Sequence, residues 1–258
     1  MLEASDKTAE RLRDNWQSVT GEIFEACHAA GREAGEVQIV GVCKYVGPEL
    51  AWQLGQAGCE ILAENRPQLL WDKTEYFAQQ AVGLAPPLAS DTHGGRVGAG
   101  IPQWHLIGHL QRNKLRRTLP LISLLHSLDS TRLAEAISAD GESQNRKHCV
   151  LLEVNVTQDA SKTGMAIEPV RRLLDRADEL PGLEIRGLMA MSSLQASSDV
   201  ARREFEQVRK LRDQLQGEYA GHVNLPELSM GMSGDFREAI AAGATLVRIG
   251  TKLWHGIL

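Results

Sequence analysis

The sequence predicts a (β/α)8 barrel preceded by one extra helix. Three observations lead there. Eight short apolar runs alternate with segments of helical periodicity, which is the pattern of parallel strands joined by crossover helices. The length of 258 residues suits one such barrel without requiring a second domain. Polar residues capable of chemistry recur just after the apolar runs, where barrels of this kind assemble their sites.

The elements follow in order along the chain. Leu12, Trp16, Val19, Ile23, Phe24 and Cys27 recur at helical spacing and predict an opening helix that ends near Gly31 or Gly35. Strands are then expected at Val37–Cys43, Glu60–Ala63, Trp104–Ile107, Leu121–His126, Cys149–Val156, Leu183–Ala190, Leu225–Met230 and Thr245–Ile249. Helices are expected at Pro48–Ala57, Arg66–Gln79, Gln111–Leu119, Thr131–Ala139, Pro169–Leu180, Val200–Gln216 and Asp235–Ala242. Residues 81–102, rich in Pro and Gly, exceed a normal connection and read as an inserted or mobile loop within one domain spanning residues 1–258.

Composition excludes several functions. A net charge of −5 argues against a general nucleic-acid binder, which needs a basic face to neutralise phosphates. The basic run at residues 112–117 reads as a solvated helix face. No apolar run approaches membrane-spanning length and the amino terminus is polar, so a soluble cytoplasmic protein is expected. Cys27, Cys43, Cys59 and Cys149 lack paired spacing and are expected to be reduced. His105 and His109 have the spacing of a helical metal pair, but Trp104–Gly108 alternates like a strand and no acidic residue stands between them, so no metal site is expected.

Under this scheme one mouth of the barrel collects Lys44, Glu64, Asn65, His109, Ser127, Asp129, Asn155, Met191, Ser192, Ser233, Gly250 and Thr251. Lys44 closes an apolar strand rich in β-branched residues. A partly desolvated amine there is a nucleophile toward aldehydes, while a lone strand-end lysine also snorkels readily to solvent. Leu228–Asp235 and Ala244–Thr251 both read as strand ends with anion-binding turns, with Ser233 or Asp235 capping the intervening helix. Asp129 or Ser130 is expected to cap the helix after the fourth strand, which gives Ser127 and His126 an ordinary strand-end role. A Schiff-base aldolase acting on a sugar phosphate would use the same lysine and turns.

Lys44 after its strand, Ala63-Glu64-Asn65, the run His105–Lys114, Ser161–Met165, Gly187–Met191, Ser229–Ser233 and Val247–Thr251 together resemble the pyridoxal 5′-phosphate homeostasis proteins of the YggS/PROSC type. The likeness runs from about residue 10 to about residue 254. That family's fold is similar to the barrel domain of alanine racemase. The resemblance implies pyridoxal 5′-phosphate as cofactor, held as a Schiff base on Lys44. It further implies that Arg248 faces the pyridine nitrogen, that Ser233, Gly250 and Thr251 hold the phosphate, and that Asn65, Met191 and Ser192 line the cofactor. The chain departs from the usual pattern at Ala63, Pro67, Cys43, Tyr45 and Leu253-Trp254-His255-Gly256.

The resemblance points to a role in intracellular vitamin B6 homeostasis without efficient catalysis. A permanently charged arginine opposes protonation of the pyridine ring and so weakens it as an electron sink. Amino-acid chemistry also needs an opposing acid or base, which alanine racemases take from a second domain and a partner subunit. With this chain ending soon after its last strand, an open cofactor face and a monomer are expected. Pyridoxal phosphate-dependent apo-enzymes are the expected recipients. A racemase or decarboxylase is the alternative, with Tyr45 as the nearest acid or base.

Overall fold

The computed structural model describes residues 2–82, 101–156 and 163–258. Its centre is a closed barrel of eight parallel strands in chain order: β1 (Gln38–Val42), β2 (Ile61–Glu64), β3 (Gln103–Leu106), β4 (Leu124–Leu128), β5 (His148–Glu153), β6 (Leu183–Met189), β7 (Glu227–Met232) and β8 (Leu246–Ile249). β8 closes onto β1 with Val40 beside Arg248 and Gly41 beside Ile249. The expected (β/α)8 architecture is therefore observed, with a helix in front of it.

The helices are α1 (Leu2–Ala29), α2 (Pro48–Gln56), α3 (Pro67–Gln80), α4 (Leu115–Thr118), α5 (Thr131–Ser143), α6 (Ile167–Leu174), α7 (Ser198–Glu218) and α8 (Phe236–Ala241). α1 buries Leu12, Val19, Ile23 and Cys27 but leaves Phe24 exposed, against the expected apolar face. Asn15 Nδ2 donates to the carbonyls of Leu253 and His255 at 3.0 and 2.9 Å, and Glu22 accepts from Lys252 and Arg237. The opening helix thus packs against the end of the barrel chain. Pro67 starts α3, where its missing N–H costs no helical bond.

Strand alternation divides the apolar residues into two layers. Val40, Ile61, Ala63, Leu124, Leu151, Met189 and Leu246 fill the barrel, while a larger set packs the outer strand faces against the helices. This parity decides which polar side chains enter the barrel.

Several expected boundaries move, and three of the shifts have a structural consequence. The helix expected at Gln111–Leu119 is one α-turn, Leu115–Thr118, between 3-10 turns at Arg112–Lys114 and Leu119–Leu121, because Pro120 cannot donate to a continuing ladder. β4 starts at Leu124 rather than Leu121 and runs to Leu128, so His126 and Ser127 lie inside a strand and not at its exit. α6 starts at Ile167, with Pro169 in its first turn, and stops at Leu174, well short of the expected Leu180. Most of the proposed loop at 81–102, and Ser161 and Lys162 of one motif, lie outside the described residues.

Candidate functional site

Lys44 stands two residues beyond β1 and is half-buried, with its ammonium 4.9 Å from the centre of the Tyr45 ring. The turn that carries it is pinned from behind. Lys73 of α3 donates to the Cys43 carbonyl at 2.7 Å and forms a salt bridge with Glu64, both side chains being almost fully buried. Glu64 Oε1 accepts the backbone N–H of Asn65 at 2.8 Å. One buried ion pair therefore fixes the backbone of both Lys44 and Asn65.

Glu64 itself does not join the mouth, contrary to expectation. Its register turns it outward, toward α3, while Ala63 faces the barrel interior. The Lys73 pairing is not legible in the sequence, because a lysine in an amphipathic helix ordinarily faces water. Asn65 lies against Gly108, where a Cβ would come within 2.1 Å of the Asn65 carbonyl, so only glycine permits this approach of the loops after β2 and β3.

The turns after β7 and β8 touch. The Gly250 N–H donates to Ser233 Oγ at 3.1 Å, and Gly250 sits over Val42 at the end of β1. These contacts bring Ser233, Gly250 and the Lys44 turn together. The backbone N–H groups of Ser233, Gly234, Thr251 and Lys252 have no hydrogen-bond partner among the described residues. A Cβ on Gly234 would meet nothing within 4 Å. Consecutive free N–H groups on open turns form a concavity suited to an anion. Lys252 is turned away, with its ammonium 2.9 Å from both Glu22 oxygens. Gly231 makes the geometry possible: its φ of 88° suits glycine, and it packs where a Cβ would lie 2.5 Å from Ala239.

The expected capping of the next helix differs in detail. Asp235 occupies the N-cap position of α8, but its carboxylate accepts the Met232 N–H at 2.6 Å and the Ser192 hydroxyl at 2.5 Å instead of capping the helix. Ser192 thus braces the β7 turn. Met191 stands exposed beside it. Asp129 likewise does not cap α5; it pairs with His109 at 2.9 Å, and Ser130 holds the N-cap position without a side-chain bond. Ser127 donates to the Gly108 carbonyl at 2.6 Å.

Arg248 is buried inside the barrel. Nη1 donates to the Ser229 carbonyl and hydroxyl, each at 2.7 Å, and Nη2 donates to the Ala190 carbonyl at 3.0 Å. Those bonds use three of the five guanidinium hydrogens; the Nε–H and one Nη2–H have no partner among the described residues. Burial lowers its pKa to about 10, with the carboxylates of Asp235 and Glu153 opposing the shift.

Glu153 at the end of β5 is a site residue that the sequence reading passed over, because it sits among the apolar residues of a strand. Register points it inward, Thr163 donates to it, and burial raises its pKa above the ordinary carboxyl range. It lines a cavity of about 500 Å³ with Asn155, Met191, Ser192, Met232 and Asp235. A larger cavity, about 680 Å³, opens at the opposite end of the barrel among the starts of the strands. Free turn amides, Lys44 and Arg248 all belong to the carboxyl end, the end at which barrels of this kind carry their sites.

Among the described residues no cluster of metal-ligating side chains occurs; His105 lies in β3 and His109 in the turn beyond it. The four cysteines are free thiols. No helix among the described residues is long and apolar enough to cross a membrane.

Comparison with known proteins agrees with this fold. Residues 89–256 match the family profile of the alanine racemase N-terminal domain. The pyridoxal phosphate homeostasis protein of Aquifex aeolicus is 37% identical over 232 residues, covering 90% of this chain and 92% of that one. The structure of PipY from Synechococcus elongatus with PLP bound superposes with a TM-score of 0.72 at 31% identity, covering 84% of this chain and 92% of that one. Alanine racemase from Clostridium difficile shares the fold, with a TM-score of 0.66 at 15% identity, and aligns with 95% of this chain and 56% of its own.

Proposed function

This chain belongs to the pyridoxal phosphate homeostasis protein family, and we propose that it holds pyridoxal 5′-phosphate at the carboxyl-end mouth of its barrel, covalently through Lys44. The observation that carries this reading is the meeting of three features at one mouth: the Lys44 turn, two touching turns whose N–H groups have no partner among the described residues, and an arginine with two donors likewise unspent among them. The residues fit the cofactor. When bound, it supplies an aldehyde that condenses with an amine, releasing one water, and a ring that withdraws electrons.

Each residue then has a defined task. Lys44 offers its amine from a backbone that the Lys73–Glu64 pair holds still. The Ser233 hydroxyl and the N–H groups of Ser233, Gly234, Thr251 and Lys252 receive the phosphate, helped by the Gly250 turn. This requires no lysine cluster. Arg248 presents the Nε–H and the remaining Nη2–H to the pyridine nitrogen and, being permanently charged, keeps a proton off it. Asn65, Met191 and Ser192 border the ring and its edge.

A homeostatic role follows from the same chemistry. Tyr45, Met191, Leu194 and Met232 leave the mouth lined with exposed side chains, so water reaches the site instead of being excluded as efficient catalysis demands. Bound cofactor can be released for apo-enzymes that depend on it, which makes them the partners of this reading, with a monomer as the acting form. One observation favours a second reading, a pyridoxal phosphate enzyme: Glu153 supplies an inward carboxyl with a raised pKa. Arg248 disfavours the ring chemistry such an enzyme needs.

The test is an absorption spectrum of the purified protein before and after borohydride reduction, followed by peptide mapping. A reducible visible band mapping to Lys44, and its loss in Lys44→Ala with the fold intact, is expected. An adduct on another lysine, or no band after incubation with cofactor, refutes the assignment. Stereospecific turnover of a panel of amino acids would select the enzyme reading.

A further inference from the structure

We propose that Ser229, His126 and His105 are positioning residues that hold Arg248 through a hydrogen-bond chain of fixed polarity running down the inside of the barrel. The functional part of this inference rests on the cofactor site described above; the chain itself rests on geometry alone. Arg248 Nη1 lies 2.7 Å from Ser229 Oγ, His126 Nδ1 lies 2.8 Å from the same oxygen, and His126 Nε2 lies 2.9 Å from His105 Nδ1. The four residues come from β8, β7, β4 and β3, and each is at least 96% buried.

The polarity follows from counting hydrogens. A guanidinium only donates, so Ser229 Oγ is an acceptor toward Arg248. Its own proton then needs an acceptor, and among the described residues His126 Nδ1 is the one in reach. A neutral imidazole has one N–H and one acceptor nitrogen, so His126 carries its proton on Nε2 and donates it to His105 Nδ1. His105 must in turn carry its proton on Nε2. Reversing the chain would leave the Ser229 proton without an acceptor, because among the described residues the other partner of the hydroxyl is the guanidinium, which only donates.

Both rings are neutral at physiological pH. Burial lowers His105 to about 3, and burial with the neighbouring His105 and Arg248 lowers His126 well below its ordinary value. Neutrality matters because a second buried cation beside Arg248 would repel the guanidinium. The chain ends at the floor of the barrel, where the His105 ring lines the larger cavity.

Ser229 is the joint of this arrangement. Its carbonyl and hydroxyl grip the same Arg248 nitrogen, and its hydroxyl is oriented by His126. The remaining N–H groups of Arg248 are thereby aimed in one direction before any ligand arrives, which is preorganisation of the first contact by the residues behind it. His126 touches no ligand in this reading. It acts through Ser229.

Two measurements test the inference. Long-range 15N–1H spectra of the protein freed of cofactor report the tautomers directly, and both His105 and His126 are expected to be protonated on Nε2 alone at neutral pH. A proton on Nδ1 of either ring, or two protons on either, overturns the chain whatever the protein binds. In the cofactor-loaded protein, His126→Leu should lose about tenfold in retention of pyridoxal phosphate and shift its visible band, whereas His126→Asn, which restores an acceptor for Ser229, should recover both. Ser229→Ala gives the same readout should His126→Leu fail to fold. Wild-type retention and an unshifted band in folded His126→Leu or Ser229→Ala would refute the positioning role. Failure of the cofactor reading looks different: wild-type protein itself would lack the band.

Discussion

Replacing Lys73 with methionine removes a charge that never reaches solvent. Lys73 and Glu64 are 2% and 0% exposed, so the substitution leaves a carboxylate in the layer between β2 and α3 with no counter-charge, and takes the donor from the Cys43 carbonyl. Breaking a buried pair from one side costs about 3–5 kcal/mol, because the surviving charge is neither solvated nor paired. At roughly 2–4 °C per kcal/mol for a chain of this size, Lys73→Met should lower the melting temperature by about 6–20 °C. Removing both charges, as Lys73→Met with Glu64→Gln, relieves the stranded carboxylate. The double variant should be less destabilised than the sum of the singles, by about 1–3 kcal/mol. Thermal and urea unfolding followed by circular dichroism of the four proteins closes the cycle. A second consequence is local: with the Cys43 carbonyl released, the Lys44 turn loses its anchor, so cofactor should dissociate faster from folded Lys73→Met than from wild type. A shift below about 2 °C in the single variant, or strict additivity in the double, would show that water reaches this pair and that the anchoring account is wrong.

Other expectations follow from the same coordinates. Ser233→Ala removes a hydroxyl from the proposed phosphate turn and should weaken retention of pyridoxal phosphate by roughly tenfold to a hundredfold, read by equilibrium dialysis; equal retention of pyridoxal without its phosphate would remove the anion site from consideration. Glu153 has a raised folded pKa, so its contribution to stability is fully present below the unfolded carboxyl range and is lost as pH rises through the folded value. Glu153→Gln should therefore raise the melting temperature at neutral pH and have no effect in acid; a gain that persists in acid would mean packing, and not ionisation, is responsible. Arg248→Glu favours a protonated pyridine ring, yet should yield at most slow, nonspecific transamination when assayed against common amino acids, and brisk stereospecific turnover in that variant would make the arginine the sole brake on catalysis.

Much of this was legible in one dimension. Eight apolar runs with helical segments between them can satisfy their backbone and bury both sheet faces in few ways other than a parallel barrel, so the architecture followed from periodicity and length. Strand ends follow from where apolar runs stop. Order along the chain therefore puts Lys44, Ser233, Gly250 and Thr251 at one mouth, and Ser233 and Gly250 are in contact there. Short helices were less legible. Pro120 fragments the segment after β3, and a turn as brief as α4 gives periodicity too little length to register.

The sequence by itself determined the parallel barrel, most of the residues at its carboxyl rim and the family likeness, because these depend on local order along the chain. Tertiary structure alone decided partnership. Glu64 and Asn65 are adjacent in sequence, yet strand register sends Glu64 outward to Lys73, nine residues on and across a helix. His105, His126, Ser229 and Arg248 are spread over 144 positions and meet only because β3, β4, β7 and β8 turn their alternate residues into one interior. Whether a polar side chain in an apolar strand faces helices or barrel, and which group it finds there, is set by closure of the sheet, and no local pattern encodes it.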